Sequence, residues 1–197
     1  MKELLLIRHG QTDWNRDRKI MGRKPIPLNE TGRKQAEKLA GYLAASPLDI
    51  CISSPVLRAF ETAQIVCSQQ NVKPVLREEL AEIDYGTWVD QTFSWIHENQ
   101  AEAWEKYRTD PNDLIFPGGE SIQNVAQRMG VLIDEALKVY PGQRVAFVSH
   151  ADVLKFAIAH IFQFPLTILR QFSFENCGVA LIRYDEDLGP RLTWFQP

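Results

Sequence analysis

The 197-residue sequence has few of the features that would assign it to a secreted or membrane class. Its three cysteines, Cys51, Cys67 and Cys177, are odd in number and widely spaced, which argues against a disulfide framework. Each is expected to be a small buried side chain in a reducing compartment. The apolar run at positions 4–7 is too short for a secretory signal or a membrane span. We therefore expect a cytoplasmic protein that does not associate with membranes.

The charge balance is also unremarkable for a soluble chain. Lys and Arg number 22 against 25 Asp and Glu, a net charge of −3, so no global attraction to nucleic acid is expected. Eleven Gly and eleven Pro exclude a low-complexity sequence, and 45% hydrophobic residues are enough for a buried core. This length and composition predict one domain over 1–197.

Short apolar runs alternate with segments of helical periodicity along the chain. The strand predictions are 4–7, 49–52, 75–76, 145–148, 179–184 and 192–195, the last two forming a hairpin around 185–190. The helix predictions are one beginning at Glu30 after the N-cap Asn29, then 56–68, 122–140 and 151–160. The segment around 80–120 is predicted to be partly helical near 93–107 and to cover a pocket. This alternation predicts a three-layer α/β/α fold with a mostly parallel central sheet.

Three of the predicted strands are followed by reactive or cationic residues. Arg8-His9 follow the first strand, Ser53 to Arg58 follow the second, and Ser149-His150 follow the strand at 145–148. Ligands bind beyond the carboxyl ends of strands in such sheets, so these side chains are expected to meet at one edge. Arginine forks and helix N-termini favour phosphate oxygens. The sequence therefore predicts a site for a phosphoryl group.

A neutral imidazole can attack phosphorus and form a phosphohistidine intermediate. The sequence has no GxxxxGK[ST] loop and no carboxylate cluster suited to Mg²⁺, so we expect neither a metal nor a cofactor. The leaving oxygen also needs a proton donor, which we expect to be a carboxylic acid of the 80–120 segment. The candidate there is Glu82, in the sequence LAEIDYG.

These residues belong to a longer series of motifs that resembles the histidine phosphatase superfamily, in its phosphoglycerate mutase-like branch. The matching segments, in order, are LIRHGQT at 6–12, WN at 14–15, Gly22 with PLNETG at 27–32, SSPVLRAFETA at 53–63, LAEIDYGTW at 80–88, PGGES at 117–121 and VSH at 148–150. Seven segments in the right order make a chance match improbable.

The resemblance implies a role for each matching residue. His9 would be the phosphorylated nucleophile, and Glu82 the proton donor and then the base that activates water. The residues implied to bind the phosphoryl group are Arg8, Asn15, Gly22, Arg58, His150 and Ala151. The chain departs from the family pattern after the second histidine, where Ala151 replaces the usual Gly. Asp152 follows, and its carboxylate would either repel an anionic substrate or hold a lysine.

Three functions follow from this resemblance. The first is a metal-independent phosphomonoesterase, of the alpha-ribazole phosphatase or broad-specificity type, acting on a small phosphorylated metabolite. The second is a phosphoglycerate mutase-type phosphomutase, which we consider weaker because the segment between Trp88 and Pro117 has only Lys106 and Arg108 as cations. The third is an inactive protein that binds a phosphorylated ligand. A homodimer is the base-rate expectation for the quaternary structure.

Several other residues have two interpretations. Trp88, Trp95 and Trp104 either line a pocket for an apolar leaving group or pack in the core. The basic loop from Arg16 to Arg23 is either a solvated surface or a steering patch for anions. His97 and His160 are expected to lie outside the site, at the surface and at the edge of the core.

Overall fold

Six strands form one mixed sheet at the centre of the computed structural model, which describes residues 1–185 and 187–196. The strands are β1 (Glu3–Arg8), β2 (Ile50–Ser53), β3 (Val75–Leu76), β4 (Arg144–Ser149), β5 (Val179–Asp185) and β6 (Gly189–Phe195). Their order across the sheet is β3-β2-β4-β1-β5-β6. The first four pair in parallel, whereas β5 is antiparallel to β1 and β6 to β5.

The helices cover both faces of this sheet. They are α1 (Asp13–Arg16), α2 (Glu30–Ala44), α3 (Leu57–Cys67), α4 (Phe93–Asn99), α5 (Ala101–Thr109), α6 (Ile122–Val139) and α7 (Ala151–Phe162). Short 3₁₀ turns lie at Glu78–Leu80, Gly86–Trp88 and Leu166–Arg170. Helices α2 and α3 pack against each other, as do α6 and α7.

Alternate residues of β1 show how the layers are held. Leu4 and Leu6 pack in the cluster that contains the apolar residues of α6 and α7, whereas Leu5 and Ile7 pack in the cluster of α2 and α3. All four side chains are fully buried. Since successive side chains of a strand point to opposite faces, a continuous apolar run is what a strand covered on both sides requires. The predicted three-layer fold with a mostly parallel sheet is confirmed.

The differences from the predicted elements lie mainly in the loops. Helix α1 was not predicted, because a four-residue turn that depends on the Thr12 cap has no apolar periodicity. Helix α3 begins at Leu57 rather than at position 56. The predicted helical stretch near 93–107 divides at Gln100 into α4 and α5. Glu186, in the predicted hairpin turn, lies outside the described residues.

The buried residues include all three cysteines, each with a free thiol. This agrees with the expectation that they act as small apolar side chains. No helix among the described residues is long and apolar enough to cross a membrane.

Candidate active site

His9 lies at the carboxyl end of β1, and its ring is held in one orientation. The Nδ1 atom lies 2.7 Å from the carbonyl oxygen of Gly10, which can only accept a hydrogen bond, so Nδ1 carries the proton. The Nε2 atom accepts a hydrogen bond from Nε of Arg58 at 3.2 Å, so it carries the lone pair. The neutral tautomer is therefore one in which Nε2 is the nucleophilic atom.

The backbone after His9 makes a close turn that fixes this ring. The Gly10 amide donates to the hydroxyl of Thr62 on α3 at 3.0 Å. A Cβ atom at Gly10 would lie 2.5 Å from the carbonyl oxygen of Gly32, so this position requires glycine. Asn176 donates from its side chain to the His9 carbonyl oxygen at 3.0 Å. These contacts join β1, α2 and α3 at the sheet edge.

Arg58, in the first turn of α3, is completely buried yet keeps its charged group hydrogen-bonded. Its guanidinium donates to the Gly22 carbonyl oxygen at 2.9 Å and lies 3.4 Å from the Glu82 carboxylate. Gly22 adopts a positive φ of 51° that favours glycine. Gly22 was expected to bind the phosphoryl group. Its carbonyl oxygen contacts Arg58 instead, so Gly22 would affect a bound phosphate only through the position of Arg58.

His150 and Glu82 complete the buried cluster. The Nε2 atom of His150 is 2.9 Å from the hydroxyl of Ser54, and the two histidine rings lie 5.2 Å apart. Its Nδ1 atom is buried with no hydrogen-bond partner among the described residues and lies 3.6 Å from Glu82. A buried polar atom of this kind is costly unless a ligand or water satisfies it. This nitrogen is therefore available to a ligand or a water molecule that reaches the cluster.

Burial shifts the titration of these groups. It lowers the pKa of His9 well below its usual range, and the positive charges of Arg58 and Arg8 lower it further. The pKa of His150 is lowered by burial and by Arg58 in the same way. Burial raises the pKa of Glu82 to about 7, with Arg58 opposing the shift and Asp152 adding to it. Both imidazoles are therefore neutral at neutral pH, and Glu82 exchanges its proton there.

A cavity of about 330 Å³ opens above this cluster. Of the residues expected at the site, the cavity is lined by Arg8, His9, Asn15, Glu82 and Ala151. Arg58, His150 and Gly22 do not line it, and the first two lie behind His9 and Glu82. We call His9, Arg58, Glu82 and His150 the floor. We call the more exposed lining residues Trp14, Arg18, Lys19, Phe93 and Arg170 the rim.

The three tryptophans considered for a substrate pocket do not line the cavity. Trp88 is completely buried in the core, and Trp104 packs against it at 6.1 Å between ring centroids. Trp95 is 38% exposed elsewhere on α4. Core packing is thus the correct interpretation for Trp88 and Trp104, and the aromatic lining comes from Trp14, Tyr85, Phe93 and Tyr107.

Asp152 holds a lysine, the second of the two alternatives for this departure from the family pattern. Its Oδ1 atom lies 3.0 Å from Nζ of Lys155, one turn along α7. Its Oδ2 atom accepts hydrogen bonds from the hydroxyls of Tyr85 and Tyr107. The carboxylate is therefore paired with Lys155 and hydrogen-bonded by two hydroxyls rather than left unpaired in the cavity.

Sequence reasoning missed Arg170 and Asn176, and treated Arg18 and Lys19 only as parts of a basic loop. These residues come from segments without a recognisable motif, and only the folded chain brings them to the cavity. His97 is exposed. His160 is partly exposed in the last turn of α7, and its Nε2 atom lies 2.9 Å from Oδ1 of Asp134 on α6. Among residues 1–185 and 187–196, no group of three or more His, Cys, Asp or Glu is arranged to hold a metal ion.

Comparison with known proteins gives a consistent result. The phosphoserine phosphatase 1 of Hydrogenobacter thermophilus is 28% identical over 186 residues, covering 94% of this chain and 88% of the relative. The protein named probable phosphoglycerate mutase GpmB of Cronobacter sakazakii is 30% identical over 187 residues, covering 94% and 86%.

Among solved structures, the alpha-ribazole phosphatase from Shigella flexneri superposes with a TM-score of 0.87 at 27% identity. The match covers 99% of this chain and 96% of that one. The family model for the histidine phosphatase superfamily (branch 1) matches residues 4–196. With a buried His9, two arginines and Glu82 at the edge of the sheet, the chain belongs to the histidine phosphatase superfamily.

Proposed function

We propose that this protein is a phosphomonoesterase that transfers the phosphoryl group of a small metabolite to His9 and then to water. The observation that carries this proposal is the fixed tautomer of His9, which lines the cavity and keeps the lone pair on Nε2, next to the buried guanidinium of Arg58. Its lowered pKa keeps the ring neutral and nucleophilic at neutral pH. The proposed unit is the whole chain, 1–197, acting as one domain.

The first step forms the bond between Nε2 and phosphorus and breaks the ester bond to the leaving oxygen. Arg8, Arg58 and His150 stabilise the charge on the phosphoryl oxygens, which satisfies the orphaned Nδ1 of His150 and the unpartnered Nε of Arg8. Glu82, protonated, gives its proton to the leaving oxygen. Asn15 contributes a further amide donor from the cavity wall.

The second step returns the enzyme to its starting state. The Glu82 carboxylate accepts a proton from water while the water oxygen attacks phosphorus, and the bond to Nε2 breaks. A carboxyl group with a pKa of about 7 suits both roles, because acid and base forms coexist at neutral pH. The positive charge comes from side chains, so we expect turnover without a divalent metal.

A phosphomutase is the second candidate, since several relatives, from Cronobacter sakazakii and Proteus mirabilis among others, are named probable phosphoglycerate mutases. The cations that a mutase would use to hold a second charged group are few in the 89–116 segment. Neither Lys106 nor Arg108 lines the cavity. The 89–116 segment therefore supplies no cation to the cavity for a second charged group, and hydrolysis is the function that we propose first.

The substrates named for the relatives are phosphoserine, phosphoglycerate and alpha-ribazole phosphate, which share a phosphomonoester on a small metabolite. We propose the same broad class here. We also propose a cytoplasmic location, supported by three buried thiols that remain free. The homodimer stays a prediction that light scattering would test.

Two assays test the function. Hydrolysis of p-nitrophenyl phosphate in the presence of EDTA should proceed at the rate seen without the chelator, and vanadate should inhibit it as a transition-state mimic. A parallel assay should detect phosphate release, but no isomerisation, from 3-phosphoglycerate. Loss of activity in EDTA that Mg²⁺ or Zn²⁺ restores would refute the metal-independent mechanism, and isomerisation would establish the mutase.

A further inference from the structure

Arg170 gives the cavity a cation that the phosphate site does not use. It ends the 3₁₀ turn Leu166–Arg170, far along the chain from the motifs of the floor. Its side chain is 32% exposed and lines the same cavity as His9 and Glu82. In the proposed mechanism Arg8 and Arg58 bind the phosphoryl group. A further guanidinium in this cavity is therefore available to bind a second anionic group.

The guanidinium of Arg170 is oriented but not hydrogen-bonded. It stacks on the ring of Tyr107, with 3.6 Å between Cζ and the ring centroid. Stacking covers one face of the group and leaves the N–H bonds at its edge available. Within the described part of the chain its side chain makes no hydrogen bond, and the nearest carboxylate oxygen, Oδ2 of Asp152, is 3.7 Å away.

Asp152 is the nearest carboxylate to Arg170, but its closest contacts are with other residues. Its two oxygens accept from Lys155 and from the hydroxyls of Tyr85 and Tyr107, all at closer range than Arg170. The charge of Asp152 is therefore balanced mainly by Lys155, at 3.0 Å. The five N–H donors of Arg170 remain without a hydrogen-bond acceptor in the part of the chain described, although the residue lines the cavity next to His9 and Glu82.

We propose that Arg170 binds a carboxylate on the leaving group, so that the preferred substrates are phosphomonoesters of small hydroxy acids. This inference rests on the phosphatase function proposed above. A carboxylate accepts two parallel hydrogen bonds in the plane of a guanidinium, and the contact with the Tyr107 ring restricts where this guanidinium lies in the cavity. A cavity of about 330 Å³ suits a phosphorylated acid of a few carbon atoms.

The test compares two ligands that differ at one carbon. 3-Phosphoglycerate and sn-glycerol 3-phosphate share the phosphate and the neighbouring hydroxyl, but only the first has a carboxylate. Their dissociation constants are measured by calorimetry on His9→Ala, which cannot form the phosphohistidine and so does not consume the ligand. The readout is the ratio of the two affinities, which cancels any general change in the site.

The parent His9→Ala protein should bind 3-phosphoglycerate more tightly than glycerol 3-phosphate. Adding Arg170→Met should reduce this preference by about 10- to 100-fold, the range for a lost hydrogen-bonded charge pair. Arg170→Lys keeps the charge without the planar fork and should retain part of it. Arg108→Met, which removes an exposed arginine next to Tyr107 but outside the cavity, should leave the preference as in the parent.

Equal preference in the parent and in Arg170→Met would overturn the proposal, as would an Arg108→Met effect of the same size. The experiments can refute the catalytic function and the carboxylate subsite independently of each other. If the wild-type enzyme hydrolyses no phosphomonoester while the affinity ratio still depends on Arg170, the catalytic function is wrong and the carboxylate subsite stands. If p-nitrophenyl phosphate is hydrolysed and the ratio is insensitive to Arg170, the subsite is wrong and the function stands.

Discussion

The floor and the rim of the cavity are built in different ways. His9, Arg58 and His150 are at most 2% exposed and Glu82 is 8% exposed, and each has contacts that fix its position. On the rim, Phe93 is 42% exposed, and Arg18 has no side-chain ion pair or hydrogen bond among the described residues.

This difference matters for what each region can do. A buried, hydrogen-bonded floor is preorganised for charge that develops during phosphoryl transfer, and it needs little reorganisation at the moment of reaction. The rim can change its contacts to suit the leaving group. We therefore expect the chemistry to depend on the floor and the choice of substrate on the rim, so that changes in the two regions have separable effects.

The largest effect is expected from removing His9, the nucleophile that we propose. His9→Ala should lower kcat for p-nitrophenyl phosphate by about 10⁴-fold or more, as loss of a catalytic nucleophile does. It should also abolish the acid-labile, base-stable phosphoprotein that rapid quenching traps in the wild type. His97→Ala, at an exposed position outside the cavity, is the control. A phosphoprotein that persists in His9→Ala would place the covalent step on another residue.

The next effect separates proton transfer from the other functions of the floor. Glu82→Gln keeps the shape of the side chain but cannot donate a proton, so phosphorylation by an alkyl phosphate should slow by about 10²- to 10⁴-fold. p-Nitrophenolate leaves without a proton, so its ester should be affected much less. The measurement is single-turnover phosphorylation of His9 with both esters.

Asp84→Asn is the matched control for Glu82→Gln. Asp84 lies two residues away, and its carboxylate accepts from the Gly86 amide rather than lining the cavity. Equal slowing of both esters by Glu82→Gln would argue against its role as the acid. A loss that depends on the leaving group in Asp84→Asn alone would transfer that role to Asp84.

The pH dependence tests whether the floor responds to the charge of Asp152, another residue that lines the cavity. Phosphorylation by an alkyl ester needs protonated Glu82, so kcat/KM should fall about tenfold per pH unit above its pKa of about 7. Asp152 raises the pKa of Glu82 through its charge, so Asp152→Asn should move this fall to lower pH. The exposed Asp113→Asn should leave the profile in place. A profile that Asp152→Asn does not shift would show that the floor is electrostatically isolated from Asp152.

The smallest effect is expected from an apolar rim residue. Phe93 contacts the Trp104 ring at 5.9 Å between centroids and is largely exposed. Phe93→Ala should raise KM for esters with bulky leaving groups by about two- to fivefold, with kcat unchanged, because only a small apolar contact is lost. Steady-state kinetics on p-nitrophenyl phosphate and an alkyl phosphate would measure this. A loss confined to kcat would mean that the rim takes part in the chemistry.

Most of the fold was predictable because its signals are local. The run at positions 4–7 predicts a strand covered on both faces, and the apolar spacing from Ile122 predicts α6, which the structure places at Ile122–Val139. Helix α1 and the break at Gln100 were not predictable in this way. Both depend on caps and packing rather than on periodicity.

Three of the four floor residues were predictable from the sequence alone, because they follow strand ends that a parallel sheet must bring to one edge. His9, Arg58 and His150 are therefore close in space although they are distant in the chain. The rim and the surroundings of Asp152 depend on tertiary packing. Arg170 contacts the ring of Tyr107 at the cavity, and Asp152 accepts hydrogen bonds from two tyrosines and pairs with Lys155. Such contacts depend on how loops and helices pack over the sheet, and no local pattern in the sequence encodes them.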